Sequence, residues 1–170
     1  MKPEKRQELA KLLGKNDIMI ELGVAAGRFA EQCLTENPEI KYIGIDRWSD
    51  HHDDAEMYNA IERLSPFQPN AAIMRYTFSN ALPLFHDEFA DMIYIDGYAH
   101  TGQEGGQTLE DWWPKLKTGG IFAGHDYDKN YPQTIQAVDN FFKKLTDSGV
   151  KVELNIINEK PNCSWWFKKI

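Results

Sequence analysis

One stretch, Ile18-Met19-Ile20-Glu21-Leu22-Gly23-Val24-Ala25-Ala26-Gly27, constrains this chain more than any other, because an apolar run ends on an acid and then turns through glycines toward a helix. Ile18, Met19 and Ile20 read as the start of a strand over 18–22. Gly23 and Gly27 let the backbone turn tightly and let a ligand approach where a Cβ would stand in the way. The spacing departs from the dinucleotide pattern G-x-G-x-x-G, since Ala25 holds the place of the second glycine, which lets a pyrophosphate press on the backbone. Glu21 adds to the departure, because its carboxylate repels a diphosphate and attracts an ammonium or hydroxyl group. Nucleotide-like ligands sit at such turns, and the charge pattern here favours a cationic one held by Glu21, Gly23, Ala25 and Gly27. An ordinary strand-to-helix turn is the alternative.

A length of 170 residues suits one domain over 1–170 rather than two. With 42% hydrophobic and 12% aromatic residues and a negative mean hydropathy, the chain has the makings of a packed core and neither a disordered nor a membrane composition. Nothing in it approaches the roughly 20 apolar residues of a membrane span. The first residues, Met1 to Arg6, lead into an amphipathic helix without an apolar signal core, so the expectation is a cytoplasmic protein without membrane contact. Cys33 and Cys163 lack metal-ligand spacing and read as plain thiols. The balance of 19 basic against 26 acidic residues, a formal charge of −7, opposes nonspecific nucleic-acid binding and points to a small-molecule partner.

Strands and helices alternate. Residues 4–13 carry Leu9, Leu12 and Leu13 on one face and stop at Gly14, which predicts a leading helix. The strand 18–22 is followed by a helix over 28–36, stopped by Asn37-Pro38, and by a second strand over 42–46 that ends on Asp46. Residues 50–65 read as a polar loop running into a helix with Met57, Ile61 and Leu64 inward, and a third strand follows near 72–76. Ser79 is placed to cap a short helix through Leu84, and 90–96 is a fourth strand ending on Asp96. A helix over 107–116, a turn at 117–120 and a fifth strand over 121–124 deliver His125, Asp126 and Tyr127. Pro132 opens a helix to 147 whose Ile135, Val138, Phe141, Phe142 and Leu145 are spaced for burial. Strands over 152–157 and 164–168 are joined by a loop too short for a crossover helix, which implies an antiparallel final pair. The expected fold is α/β, a Rossmann-like doubly wound sheet of seven strands, mostly parallel, with an antiparallel C-terminal strand. Ligands of such sheets bind beyond the carboxyl ends of the strands where the order reverses, and Glu21, Asp46, Asp96 and Asp126 all fall on that rim. The pairs Trp112-Trp113 and Trp165-Trp166 read as core and edge packing.

Asp46, with Arg47 beside it, lies about twenty residues past the glycine turn, where a carboxylate accepts bonds from both ribose hydroxyls of an adenosine-type ligand. An acid capping the next loop is the alternative. Phe78 and Ser79 are placed to flank an adenine, the ring on its face and the hydroxyl or backbone at its edge.

The segments Tyr94-Ile95-Asp96-Gly97-Tyr98-Ala99-His100, Asp111-Trp112-Trp113-Pro114, Lys117-Thr118-Gly119-Gly120 and Gly124-His125-Asp126-Tyr127 together resemble one family. It is methyltransferase family 24, a Rossmann-type group related to catechol and macrolide-sugar O-methyltransferases within the class I S-adenosylmethionine-dependent enzymes. The resemblance runs from Glu21 to about Tyr127 and includes the acid-x-Gly-x-x-x-Gly first motif. It implies S-adenosylmethionine as cofactor, bound by that motif and Asp46, with Asp96 and Asp126 facing the acceptor. In metal-dependent relatives, acids at the ends of the fourth and fifth strands hold Mg²⁺, which orients an acceptor hydroxyl and lowers its pKa. Asp96 and Asp126 match those positions, and His125 joining them would tilt the site toward Mn²⁺ or Zn²⁺. Tyr127 stands where catechol-type enzymes carry an asparagine, so that ligand set is not complete here.

His100, four residues beyond Asp96, is the candidate base for the acceptor's proton, with a bond to a loop carbonyl as the alternative. His51 and His52, among Asp50, Asp53 and Asp54, are candidates for ordering a lid, a solvated loop being the other account. Asp96-Gly97-Tyr98-Ala99 stands where enzymes methylating exocyclic base nitrogens carry Asn/Asp-Pro-Pro-Tyr/Phe, which argues against a nucleic-acid acceptor. The expected activity is methyl transfer to the hydroxyl of a small molecule such as a sugar or phenol. A nicotinamide-dependent oxidoreductase and a non-catalytic nucleotide-binding module of the same fold are the alternatives. Only 51–58 and 98–106 are available to cover the acceptor, so the pocket is expected to be open or completed by a second subunit of a homo-oligomer.

Overall fold

A computed structural model describes residues 2–49, 52–98 and 100–170, and the lid expected of His51 lies outside the described residues. Seven strands, β1 (Ile18–Leu22), β2 (Lys41–Asp46), β3 (Ala71–Arg75), β4 (Ala90–Ile95), β5 (Leu116–Gly124), β6 (Asn155–Ile157) and β7 (Ser164–Lys168), form one sheet in the order β3-β2-β1-β4-β5-β7-β6. The first five strands pair in parallel, and β7 runs against both of its neighbours. Helices α1 (Arg28–Glu36), α2 (Asp54–Leu64), α3 (Phe78–Ala81), α4 (Gly102–Gly105), α5 (Gln107–Trp112) and α6 (Pro132–Asp147) fill the crossovers. This is the expected seven-stranded, mostly parallel α/β sheet. Among the described residues, no helix is long and apolar enough to cross a membrane.

Both faces of the sheet are apolar because side chains alternate along each strand. Ile20, Leu22, Ile93, Ile95, Phe122, Trp165 and Phe167 pack on one face with α5 and α6, through Trp112, Val138 and Phe141. Met19, Tyr42, Met92, Tyr94, Ile121 and Ala123 pack on the other with α1, through Phe29, Cys33 and Leu34. Burial on both faces, rather than strand propensity, explains why weakly strand-forming Met19 and Met92 sit comfortably in the middle of the sheet.

Several boundaries differ from the sequence reading for local reasons. The leading helix is a tighter 3₁₀ segment, Arg6–Leu12, that ends as Leu13 turns to extended backbone rather than at a left-handed Gly14. Leu12 consequently faces outward while Leu9 and Leu13 are buried. Pro114, lacking an N–H, ends α5 at Trp112 and leaves a 3₁₀ turn, Trp113–Lys115. Lys117 to Gly120 form a bulge inside β5, since Ala90 faces Leu116 while Met92 faces Ile121. β6 is shorter than the expected strand over 152–157, and Val152 and Leu154 pack on the core instead.

The order reverses between β1 and β4, and the crevice beyond their carboxyl ends opens at Gly23 and Asp96. Asp96 N–H donates to the Leu22 carbonyl at 2.8 Å. Gly23 has φ +99°, and a Cβ there would lie 2.5 Å from the Asp96 carbonyl oxygen, so only glycine lets the two strand ends meet. Gly124, at the end of β5, is equally tight, since a Cβ would lie 2.6 Å from the Trp165 ring and 2.7 Å from the Ile95 carbonyl. Gly124→Ala is expected to cost about 1–3 kcal/mol by overpacking. Urea titration would show a lower midpoint at an unchanged slope, and an unaltered midpoint would contradict the packing described.

Candidate active site

Asp46 ends β2 buried, and its carboxylate holds the glycine turn. Oδ2 accepts the N–H groups of Val24 and Ala25, both at 2.9 Å, and Oδ1 accepts that of Trp48 at 3.0 Å. Trp48, also buried, donates its indole N–H to the Ala25 carbonyl at 2.9 Å. The bond from Trp48 is the loop cap that the sequence reading held as the alternative for Asp46; the bonds from the turn after β1 are a role it did not assign. An ionised carboxylate offers about four acceptor directions, so one remains beyond the three N–H bonds. Asp46 also lines a cleft of about 550 Å³ together with Gly23, Arg47, Phe78, Gly97 and Tyr98 among others.

Phe78 is buried at the start of α3, and Tyr98 meets it edge-on, with ring centroids 5.1 Å apart. A Cβ on Gly97 would lie 2.8 Å from the Phe78 ring, so this glycine lets that ring pack against the backbone beyond β4. Ser79 does not cap α3. Thr77, in extended backbone, accepts the Asn80 N–H at 3.2 Å and supplies the cap, because a capping residue must precede the first helical one. Tyr76 and Thr77 line the cleft, whereas Ser79 is exposed one residue into the helix, with Oγ 3.3 Å from Thr77 Oγ1.

A second cleft, of about 890 Å³, shares Gly23, His52 and Asp96 with the first and extends over Glu21, Ala25, Arg6 and Phe29. Gly27, left-handed at φ +75°, starts α1 beneath it. Glu21 is 1% exposed, and Tyr42 donates its hydroxyl to Oε2 at 2.5 Å. Gly44, paired with Glu21 across the sheet, leaves room for that hydroxyl, since a Cβ there would lie 2.5 Å from it. Burial pushes the Glu21 carboxyl well above the usual carboxylate range, against the lowering effect of the Tyr42 bond. Burial thus disfavours the charge on Glu21, and a cation beside it would favour that charge.

Asp96, His125 and Asp126 converge at the ends of β4 and β5, each offering an atom within 4.8 Å of the others. His125 Nδ1 lies 3.3 Å from Asp96 Oδ1 and 3.2 Å from Asp126 Oδ1, shared between the two carboxylates. Asn162, from the β6–β7 connection, donates to Asp126 Oδ1 at 2.7 Å. Arg6, from the leading 3₁₀ segment, places Nη1 2.9 Å from Asp96 Oδ2 and its guanidinium over the Phe29 ring at 4.8 Å. Burial opposes the charge on Asp96, but His125 and Arg6 outweigh it and lower the pKa. Burial likewise opposes the charge on His125, but Asp96 outweighs it and raises the pKa. For Asp126 burial prevails over His125, and the pKa rises.

These donors do not suit a resident divalent ion. A metal needs deprotonated ligands with free lone pairs. Here one Asp96 oxygen is taken by a guanidinium that does not deprotonate in proteins, and the histidine nitrogen nearest both acids is the one its proton favours. Neither Arg6 nor Asn162 figured in the sequence reading. Both lie far along the chain from Asp96 and Asp126, and no spacing rule connects them.

His100 is not part of this cluster. It is exposed on the turn beyond β4, its ring 5.3 Å from that of Tyr131. Tyr127, at the position of the relatives' asparagine, turns away and donates to Asp139 at 2.7 Å. Strain collects around the clefts: Ala25, Trp48, Tyr98 and Asp126 all have positive φ, between +44° and +59°. For non-glycine residues such conformations cost on the order of 1 kcal/mol or more each, and they persist only where the surroundings impose them.

A sheet of this order, with paired clefts at the β1/β4 reversal, defines the class I methyltransferase fold. Residues 20–127 match methyltransferase family 24, described as a methyltransferase domain, and the chain belongs to that family. A tRNA (guanine-N(7)-)-methyltransferase of Lachnoclostridium phytofermentans is 26% identical over 114 residues, 66% of this chain and 45% of that protein. The chain thus spans less than half the length of this curated relative. Among solved structures, a SAM dependent methyltransferase from Aquifex aeolicus superposes with a TM-score of 0.65 at 17% identity, over 98% of this chain and 94% of that one. An O-methyltransferase family protein from Burkholderia thailandensis superposes with a TM-score of 0.66 at 11% identity, over 96% and 55%. At such identities the likeness speaks for the fold.

The His125 pairing has a pH signature. A group whose pKa is raised on folding stabilises the fold fully below its unfolded value, here 6.5, and the contribution is lost as pH rises through the folded value. Compared with His125→Gln, the native protein is expected to lose relative stability as pH increases from about 6 to about 9. Urea unfolding of both proteins across that range checks this, and parallel curves would contradict it.

Proposed function

We propose that this protein is an S-adenosylmethionine-dependent methyltransferase acting on the hydroxyl group of a small molecule. The observation that carries the reading is the pair of clefts joined at Gly23, His52 and Asp96. One end offers an aromatic face and a spare carboxylate acceptor, the other a buried carboxyl, and together they suit a ligand that is adenosine at one end and an amino acid at the other. The residues fit that ligand on structural grounds, since the buried Phe78 ring and Asp46 line one of the joined clefts and buried Glu21 lines the other. S-adenosylmethionine supplies a methyl group already activated by its sulfonium, so the protein's task is alignment in a dry pocket.

In this reading Phe78 packs on the adenine and Asp46 turns its remaining acceptor direction to the ribose. Glu21 ionises against the entering ammonium, which reverses the effect of burial on its pKa. Asp96 fixes the meeting point of the two ligand ends, Asp126 and His125 position the acceptor hydroxyl, and exposed His100 takes its proton. No step is routed through a divalent ion. The nicotinamide alternative has less behind it, because the family is a methyltransferase family and Ala25 occupies the second glycine position of the dinucleotide pattern. The curated relative's printed substrate makes tRNA the acceptor class to test against small hydroxylated molecules.

Calorimetry is expected to show saturable binding of S-adenosylhomocysteine and none of NAD; binding of NAD alone would replace the proposal. Asp126→Ala is expected to keep that affinity within about twofold while lowering methyl transfer on the order of 100-fold, as for a group that acts on the acceptor. A radiolabelled methyl donor offered with a panel of phenols, sugars and tRNA measures the second effect. Label entering tRNA alone would overturn the choice of acceptor.

A further inference from the structure

We propose that Arg6 is the resident cation of the Asp96–His125–Asp126 cluster and keeps divalent ions out of it, so that methyl transfer by this chain requires no metal. The requirement for methyl transfer rests on the function proposed above; the exclusion of the ion does not.

The geometry carries the inference. Arg6 Nη1 sits 2.9 Å from Asp96 Oδ2, the side of that carboxylate that His125 leaves open, while Oδ1 faces His125 Nδ1 at 3.3 Å. Both oxygens of the central acid therefore already face protein groups, one a guanidinium and the other an imidazole. On the far side, Asp126 Oδ1 is shared between His125 Nδ1 and the Asn162 amide. An ion approaching these acids would have to displace a guanidinium, which cannot give up its proton, or sit beside it against like charge.

Arg6 is anchored and not a stray surface arm. Its guanidinium lies over Phe29 at 4.8 Å. Its backbone N–H donates to Glu159 Oε2 at 3.3 Å, and Glu159 Oε1 in turn accepts the Ser164 hydroxyl at 2.7 Å. The leading segment is thus fastened to the β6–β7 connection on one side and to α1 on the other. Arg6 also lies outside residues 20–127, the part of the chain that matches the family. A cation supplied from there sets this chain's requirement independently of the shared core.

Electron paramagnetic resonance of Mn²⁺ titrated with the full chain tests the proposal without any assay of activity. The native protein is expected to leave the free Mn²⁺ signal unchanged at ion concentrations up to about 1 mM. Arg6→Gln is expected to bind Mn²⁺ saturably, at least about tenfold more tightly than the native chain, and to melt at higher temperature when the ion is present. Adding Asp126→Asn to Arg6→Gln is expected to abolish that binding, and Arg6→Lys, which keeps the charge, is expected to bind none. Saturable binding by the native protein that Asp126→Asn removes would overturn the proposal even if the Arg6 variants failed to fold. So would a folded Arg6→Gln that binds no ion. S-adenosylhomocysteine calorimetry on the same samples reports on the methyltransferase reading separately, so failure of one is not mistaken for failure of the other.

Discussion

Three backbone N–H groups converge on one buried carboxylate, Asp46, and the cleft takes its shape from that convergence. The first two belong to the turn after β1 and the third to Trp48, two residues past the end of β2, so a single side chain ties together the ends of two neighbouring strands. Bonds to a charged acceptor are stronger than bonds between neutral groups, and loss of the acceptor would strand buried donors at about 1–3 kcal/mol each. That is enough to hold Ala25 and Trp48 in left-handed conformations neither would adopt freely. The turn is consequently formed before any ligand arrives, and a ligand meets a pocket whose ordering cost has already been met by folding.

The parts of this architecture governed by local pattern were legible in the sequence. Alternating apolar runs ending on Glu21, Asp46 and Asp96 gave the strands, and the short link before Ser164 gave the antiparallel β7. Position on the strand-end rim also gathered Glu21, Asp46, Asp96 and Asp126 without any coordinates. What the pattern could not show was how each acid is used. Asp46 reads as a ribose ligand by distance from the glycine turn or as a cap of the next loop; its bond from Trp48 is that cap, while its bonds from Val24 and Ala25 were not legible because the turn's hydrogen-bond needs are invisible until the turn is built. Glu21 reads as a charged lure for a cation, whereas burial raises its pKa well above the usual carboxylate range against the lowering effect of the Tyr42 bond, for which strand pairing leaves room by putting Gly44 opposite it.

Histidine gives the sharpest contrast. His100 and His125 are equally available to sequence reasoning, one after β4 and one after β5. The structure sorts them by depth: His125 is wedged between two acids whose charges favour its proton, while His100 faces solvent. Sequence reasoning made His100 the candidate base and set His125 beside Asp96 and Asp126 as a candidate metal ligand; the structure brings His125 to both acids and leaves His100 outside the cluster.

The division of labour along the chain follows from these contacts. Residues 20–127, the family match, contain Glu21, Gly23, Asp46, Phe78 and Asp96, which build both clefts, and also His125 and Asp126. The acid cluster also receives contacts from outside that span, from Arg6 of the leading segment and Asn162 of the C-terminal hairpin, with Glu159 of that hairpin accepting the Arg6 backbone N–H. Parallel sheets place their strand ends on one rim, and the segments before β1 and after β6 are the ones free to fold over it without disturbing the crossovers. Two proteins with the same core can therefore differ in metal requirement through a few residues that alignment of the core never compares. The chemistry at the β4 and β5 ends should be read from the charges that surround the acids and not from the acids alone.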